Sequence, residues 1–321
     1  MRTVPVLTVL LLGLTACSHE PEPSAPPSDT PWQRLPDAPS ARTEVAAAVS
    51  GTRIVVAGGY RADGGTVSTV EIFDTATGHW SAGPPLPVAV NHAMAAGVDG
   101  TVYVFGGYFG DGTPSAAAYR LTPSATAWQS VADLPEGRAA GTAAAVGGTV
   151  YVAAGIGPGK DALATTMLVY DTAADRWRTA PGPPTPREHL GGAATGGKVY
   201  TVAGRTAKDG NLAVVEAYDP AGGAWTRLPD LPTARGGLAA TATCRGWVVA
   251  AGGEGQHTFP QVEAYDPAAG AWHALPPMPR PKHGLGLVTV GPLLYALPGG
   301  PEPGLHVAAT TEALDAGPCG G

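Results

Sequence analysis

Three segments decide how this chain folds: FDTATGHW (73–80), YDPAGGAW (218–225) and YDPAAGAW (265–272). Each places a large strand-forming residue and Asp seven residues ahead of a tryptophan. Tyr170-Asp171 stands in the same relation to Trp177, and Leu121-Thr122 before Trp128 is a worn copy. Working outward, Trp32, Trp80, Trp128, Trp177, Trp225 and Trp272 are separated by 48, 48, 49, 48 and 47 residues. Upstream of each aromatic-Asp pair comes a glycine doublet or its remnant: Gly58-Gly59, Gly106-Gly107, Ala154-Gly155, Ala203-Gly204, Gly252-Gly253 and Gly299-Gly300. Three markers in phase at one long period define a repeat architecture.

Between the markers run short stretches of Val, Ala, Thr and Tyr, broken by Gly-, Pro- and Asp-containing turns, with no sustained helical period. That is antiparallel β-structure. In the third unit the pattern predicts strand a over 141–146, b over 150–154, c over 167–170 and d over 177–179. One such meander cannot bury both faces, so neighbours must pack around an axis as blades of a β-propeller. The doublets fit where backbones approach too closely for a Cβ, and the tryptophans fit as fillers between blades with an N–H in search of an acceptor. The last unit has strands a (285–290), b (293–297) and c (306–314) but no tryptophan. Residues 32–35 are therefore expected to supply its strand d, which predicts an all-β, six-bladed propeller of four-stranded blades, latched by both ends of the chain.

The succession Gly-Gly, Tyr-Asp, Trp resembles the kelch repeat, over residues 32 to about 315. The resemblance implies the propeller fold; for function it implies less, because kelch propellers include binding modules and enzymes.

The N-terminus is of another kind. Arg2 precedes an apolar stretch from Val4 to Leu14, too short for a spanning helix, followed by Leu14-Thr15-Ala16-Cys17. This resembles a bacterial lipobox, which implies removal of residues 1–16, lipidation of Cys17 and an extracytoplasmic protein anchored to a bacterial membrane. Residues 18–31 (SHEPEPSAPPSDTP) read as a tether, and 316–321 as a short tail. Loss of Arg2 leaves 18 basic side chains against the 26 acidic ones, a formal charge of −8, which argues against nucleic acid as a partner. With Cys17 assigned to lipid, Cys244 and Cys319 remain as a candidate disulfide. Both are expected on the face carrying the a-to-b and c-to-d turns, in adjacent blades; free thiols are the alternative.

The opposite face carries the side chains of interest. Where the blades enter strand a, a cation recurs at Arg42, Arg138, Arg187, Arg235 and Lys282, with blade two departing at Val90. These five are expected to ring the mouth of the central channel, as an anion site or as structural partners of nearby carbonyls and acids. After each doublet stand Tyr60, Tyr108, Ile156, Arg205, Glu254 and Pro301, which vary from blade to blade as ligand-reading positions do. His92, His189 and His283 also start strand a, but no second ligand recurs at a metal spacing, so neither a metal nor a cofactor is expected.

Motifs for a nucleophile elbow, a His-Glu-x-x-His zinc site and a phosphate loop are missing. Gly155–Lys160 is glycine-rich but lies between strands. The reading is a monomeric binding module for a protein segment or an anionic carbohydrate, using Arg42, Arg138, Arg187, Arg235, Lys282, Tyr60, Tyr108, Arg205, Glu254 and His189. The alternative is a sugar-modifying enzyme resembling N-acetylneuraminate epimerase, with Glu254, His189, Arg187 and Arg205 supplying acid, base and carboxylate clamp.

Overall fold

The structure is a computed structural model that describes Met1, residues 31–159 and residues 161–319. Cys17, the apolar segment before it and most of the tether lie outside these residues. Among the described residues there is no helix; six four-stranded antiparallel sheets form the blades, and a two-stranded sheet, Arg205–Thr206 with Gly210–Asn211, lies in the b-to-c loop of blade four. Blade one is Ala46–Ser50, Arg53–Ala57, Val70–Asp74 and His79–Ala82. Blade three is Thr142–Val146, Thr149–Ala153, Thr166–Asp171 and Arg176–Pro181, within a few residues of expectation. Blade six is closed as the missing tryptophan required. Gln33–Leu35 pairs antiparallel with strand c of that blade, Thr311–Asp315, in the register Gln33↔Ala313 to Leu35↔Thr311.

The repeat markers each have a physical task. Phe73, Tyr170, Tyr218 and Tyr265 on strand c sit directly across from Trp80, Trp177, Trp225 and Trp272 on strand d, with ring centroids 4.8 to 5.3 Å apart. Every one of these six indoles donates to a backbone carbonyl at or just past the end of strand d of the preceding blade: Trp80 to Pro36, Trp128 to Pro84, Trp177 to Ala132, Trp225 to Pro181, Trp272 to Pro229 and Trp32 to Pro276, at 2.8 to 3.0 Å. The indole thus fills the space between blades and pairs its only polar atom across the same interface. The Asp after each aromatic shapes the c-to-d turn. Asp219 Oδ1 accepts from Ala221 N and Asp266 Oδ1 from Ala268 N, the Asx geometry that makes Asp a turn residue.

The doublets lie where blades touch. A Cβ on Gly106, itself at φ +58°, would stand 2.1 Å from the carbonyl oxygen of Arg138 in the next blade. The adjacent Gly107 N–H donates to that same oxygen. Apolar clusters fill the gaps between blades; one joins Phe105 and Met94 of blade two to Val152, Leu168 and Tyr170 of blade three. Cys244, in the a-to-b turn of blade five, is bonded to Cys319 with Cα atoms 4.8 Å apart. Because strands alternate in direction, that bond lies on the face opposite the d-to-a and b-to-c loops.

Candidate functional site: the channel mouth

Two residues beyond each cation position the chain turns into strand a, and there it takes a left-handed conformation in every blade. The residues are Glu44, His92, Ala140, His189, Gly237 and Gly284, with φ between 51° and 66°. Their backbones join head to tail around the axis. His92 N donates to Glu44 O, Ala140 N to His92 O, His189 N to Ala140 O, Gly237 N to His189 O and Gly284 N to Gly237 O; Val45 N closes the circle on Gly284 O, all at 2.8 to 3.2 Å. This ring fixes six Cα positions at the mouth and leaves only side chains to give it chemistry. Three are absent or a methyl, and the other three are Glu44, His92 and His189.

The five cations go elsewhere. Arg42, Arg138, Arg187, Arg235 and Lys282 are at most 1% exposed. Arg42 pairs with Glu71, Arg187 with Glu216, Arg235 with Glu263 and Lys282 with Glu312, each glutamate lying on strand c of the same blade. Arg138 pairs with Glu136. The guanidinium groups also donate to the carbonyl of the first residue of the glycine doublet: Arg42 to Gly58, Arg138 to Ala154, Arg187 to Ala203 and Arg235 to Gly252. The expectation of an anion-binding ring is therefore corrected. These charges are consumed inside the blades, in the structural role that was the alternative, and four of the five partners are strand-c glutamates. Arg187 is in consequence lost as a carboxylate clamp for the sugar-enzyme alternative.

The positions after the doublets do meet at the mouth, because each bridges to the residue just before the ring: Tyr60 to Thr43, Tyr108 to Asn91, Arg205 to Glu188 and Glu254 to Gly236. Tyr60 and Tyr108 set their rings edge-on to His92, at centroid distances of 5.8 and 5.5 Å, and His189 lies 4.7 Å from His92. Arg205 bridges Glu188 (3.3 Å) and Glu254 (2.8 Å). Glu254 also accepts from Gly304 N at 3.0 Å and faces His283 Nδ1 at 3.6 Å. Ile156 is buried and Pro301 exposed on the rim.

Glu44 is the hub, and sequence reading gave it no such place. Its Oε1 lies 3.2 Å from His283 Nδ1 and its Oε2 3.2 Å from His92 Nε2. Burial works to raise the Glu44 carboxyl, but His92, His283 and His189 outweigh it and hold the group well below the usual carboxylate range. Burial pushes His92 down to about 4 despite the neighbouring Glu44. It opposes charge on His283 as well, but there the carboxylates of Glu44 and Glu254 win and the imidazole is raised. Glu188 and Glu254 are both lowered, burial being overcome by His189 and Arg205 for the first and by Gly304 N–H, His283 and Arg205 for the second. Three carboxylates thus face Arg205 and His283, and the mouth leans acidic. Below it the channel is walled by Ala47, Ala95, Ala143, Gly192, Ala240 and Leu287, around cavities of about 140 and 260 Å³.

No curated protein matches this chain. The profile of the KLHDC2/KLHL20/DRC7 Kelch-repeats domain matches residues 44–182 and, in a second overlapping placement, 91–300. Together these span most of the six blades and agree with the Gly-Gly, Tyr-Asp and Trp markers and their tasks in the fold. The chain belongs to the kelch-repeat family of β-propellers.

Proposed function

We propose that this chain is a monomeric, lipid-anchored extracytoplasmic binding module that takes a protein segment at the channel mouth. The observation that carries the reading is the contrast between uniform and varied positions. Cations, doublets and tryptophans repeat and are spent on the fold, whereas Tyr60, Tyr108, Arg205 and Glu254 differ from blade to blade and converge on one concavity. A kelch propeller suits protein interaction, and a fold supports function only through such a site. The lipobox at Cys17 supports export and anchoring, and the Cys244–Cys319 bond suits an oxidising compartment.

Charge selects the ligand. The acidic mouth complements a segment carrying Lys, Arg or a free amino terminus, with tyrosine faces for its apolar parts. With the five strand-a cations buried and His283 enclosed beside Glu44 and Glu254, Arg205 is the cation an anionic carbohydrate would meet among the described residues converging at the mouth, and it already serves two glutamates. The test is selection of displayed random peptides on the soluble chain (residues 18–321), repeated with Glu254→Gln and Tyr108→Ala. Enrichment of basic peptides that falls at least tenfold with either variant supports the reading. Enrichment of acidic peptides, or binding indifferent to both variants, overturns it. Incorporation of labelled fatty acid that disappears in Cys17→Ser tests the anchor.

A further inference from the structure

We propose that Glu44, His92 and His189 form a three-ligand site for a first-row divalent metal ion, of which Zn²⁺ is the natural member, with its remaining position open to the channel mouth. The ligand atoms of these three residues lie within 4.8 Å of one another. Tetrahedral zinc with bonds of about 2.0 to 2.1 Å sets neighbouring donors about 3.3 Å apart, and the Glu44 Oε2 to His92 Nε2 distance is already 3.2 Å. Two imidazoles with one carboxylate suit zinc and its neighbours rather than calcium or magnesium. The side chains are 10 to 12% exposed, enough to admit an ion from one side only.

Two of the three donors are held by a hydrogen-bonded outer partner, as metal ligands commonly are, and the third has a carboxylate beside it. Asn91 Nδ2 donates to the Tyr108 carbonyl, so its Oδ1 points at His92 and accepts from His92 Nδ1 at 2.6 Å. That places the ring proton on Nδ1 and leaves the Nε2 lone pair facing the Glu44 carboxylate. His189 Nδ1 stands 3.0 Å from Glu188 Oε2 as an ion-pair contact without hydrogen-bond geometry, and Nε2 is its other donor. His283 holds Glu44 Oε1, which leaves Oε2. With the His92 ring proton held on Nδ1 by Asn91 Oδ1, two acceptors face each other at 3.2 Å. A cation between them removes that repulsion.

The backbone supports the same conclusion. Left-handed φ is unfavourable for residues with a Cβ, and such strain persists where a site requires the side chain. The ring uses Gly237 and Gly284 at two of its six positions and carries a Cβ at the other four, Glu44 at 54°, His92 at 51°, Ala140 at 52° and His189 at 51°, three of which are the ligands. The ligands come from blades one, two and four, so the site exists only in the closed ring and does not depend on the identity of the partner at the mouth.

The experiment uses the tag-free soluble chain (residues 18–321), stripped with a chelator and titrated with ZnCl₂ by calorimetry and with CoCl₂ by visible absorption. One equivalent of Zn²⁺ bound, and a Co²⁺ ligand-field spectrum of low coordination number displaced by Zn²⁺, are expected. The His92→Gln/His189→Gln variant is expected to lose the spectrum and at least a hundredfold in affinity. Asn91→Ala, which touches no metal, should weaken binding by about 10- to 100-fold. No saturable binding by the unmodified chain overturns the proposal, as does unchanged binding in the double variant. The Co²⁺ spectrum of the unmodified chain stands as a test even where a variant fails to fold.

Discussion

Replacing Arg187 by Val removes the best-anchored of the buried cations, and its cost can be worked from the contacts. Arg187 donates from Nε to Ala203 O, from Nη1 to Thr185 O and Glu216 Oε2, and from Nη2 to Thr201 Oγ1 and Val214 O. Glu216, 2% exposed, would keep only the Thr185 N–H and hydroxyl. Removing one partner of a buried pair costs about 3 to 5 kcal/mol, because the other charge stays buried and unpaired. In a chain of this size that lowers the thermal midpoint by on the order of 10 °C. Blade two supplies the compensating change: Val90 stands in the cation position and Tyr119 in the strand-c glutamate position, packed in one apolar cluster. Arg187→Val/Glu216→Tyr should therefore recover at least half the loss, since a well-packed apolar replacement of a buried pair is often neutral. Circular dichroism melts and urea titrations of the two singles and the double give the coupling energy. A single variant with an unmoved midpoint but lost peptide binding would refute the assignment of Arg187 to the fold.

Two further outcomes follow from buried groups away from the mouth. Burial pushes Lys282 down to about 8, more than Glu312 restores. Between about pH 8 and 10 the unfolded chain then holds a proton the folded one has lost, so folding stability should rise with pH there. Lys282→Met should flatten that rise relative to the unmodified chain, and an identical pH profile for both would contradict the shift. Cys319→Ser opens a loop whose ends are 75 residues apart, for which chain entropy predicts a loss of about 4 kcal/mol; urea unfolding checks it, and a loss below about 1 kcal/mol would mean the tail is held without the bond.

The fold was legible because its markers are backbone demands repeated six times. Glycine where blades touch, Asp in the c-to-d turn and Trp between blades leave little freedom of residue type. The mouth was less legible, for a geometric reason. Arg42 and Glu44 are two apart, and strand alternation would send both the same way; the left-handed turn at Glu44 breaks the alternation. The cation goes into the blade and the carboxylate to the axis. A second signal was present in the sequence and could have separated them. Glutamate stands two residues before the strand-c aromatic or leucine at Glu71, Glu216, Glu263 and Glu312, in blades that carry the cation. Blade two lacks both, and blade three, with Leu168 at that place, borrows Glu136. The convergence of His92, His189 and Glu44 was announced only by their shared place in the repeat, two residues past the cation position and 48 and 97 residues apart; no local motif marks it, because ring closure brings blades one, two and four together.

The hydrogen-bonded circle at the mouth has a consequence for how such a protein changes its work. Since the backbone at each of the six ring positions is occupied with its neighbours, the surface above it is spelled by side chains alone, as a six-letter word whose letters stand 47 to 49 residues apart: Glu, His, Ala, His, Gly, Gly. The places are not equally open: a Cβ on Gly284 would stand 2.5 Å from Glu44 Oε1, and one on Gly237 3.1 Å from Glu254 Cγ. Ala140, which already carries a Cβ in the left-handed turn, is the unspent place at which a new donor, charge or plug enters the circle by a single substitution.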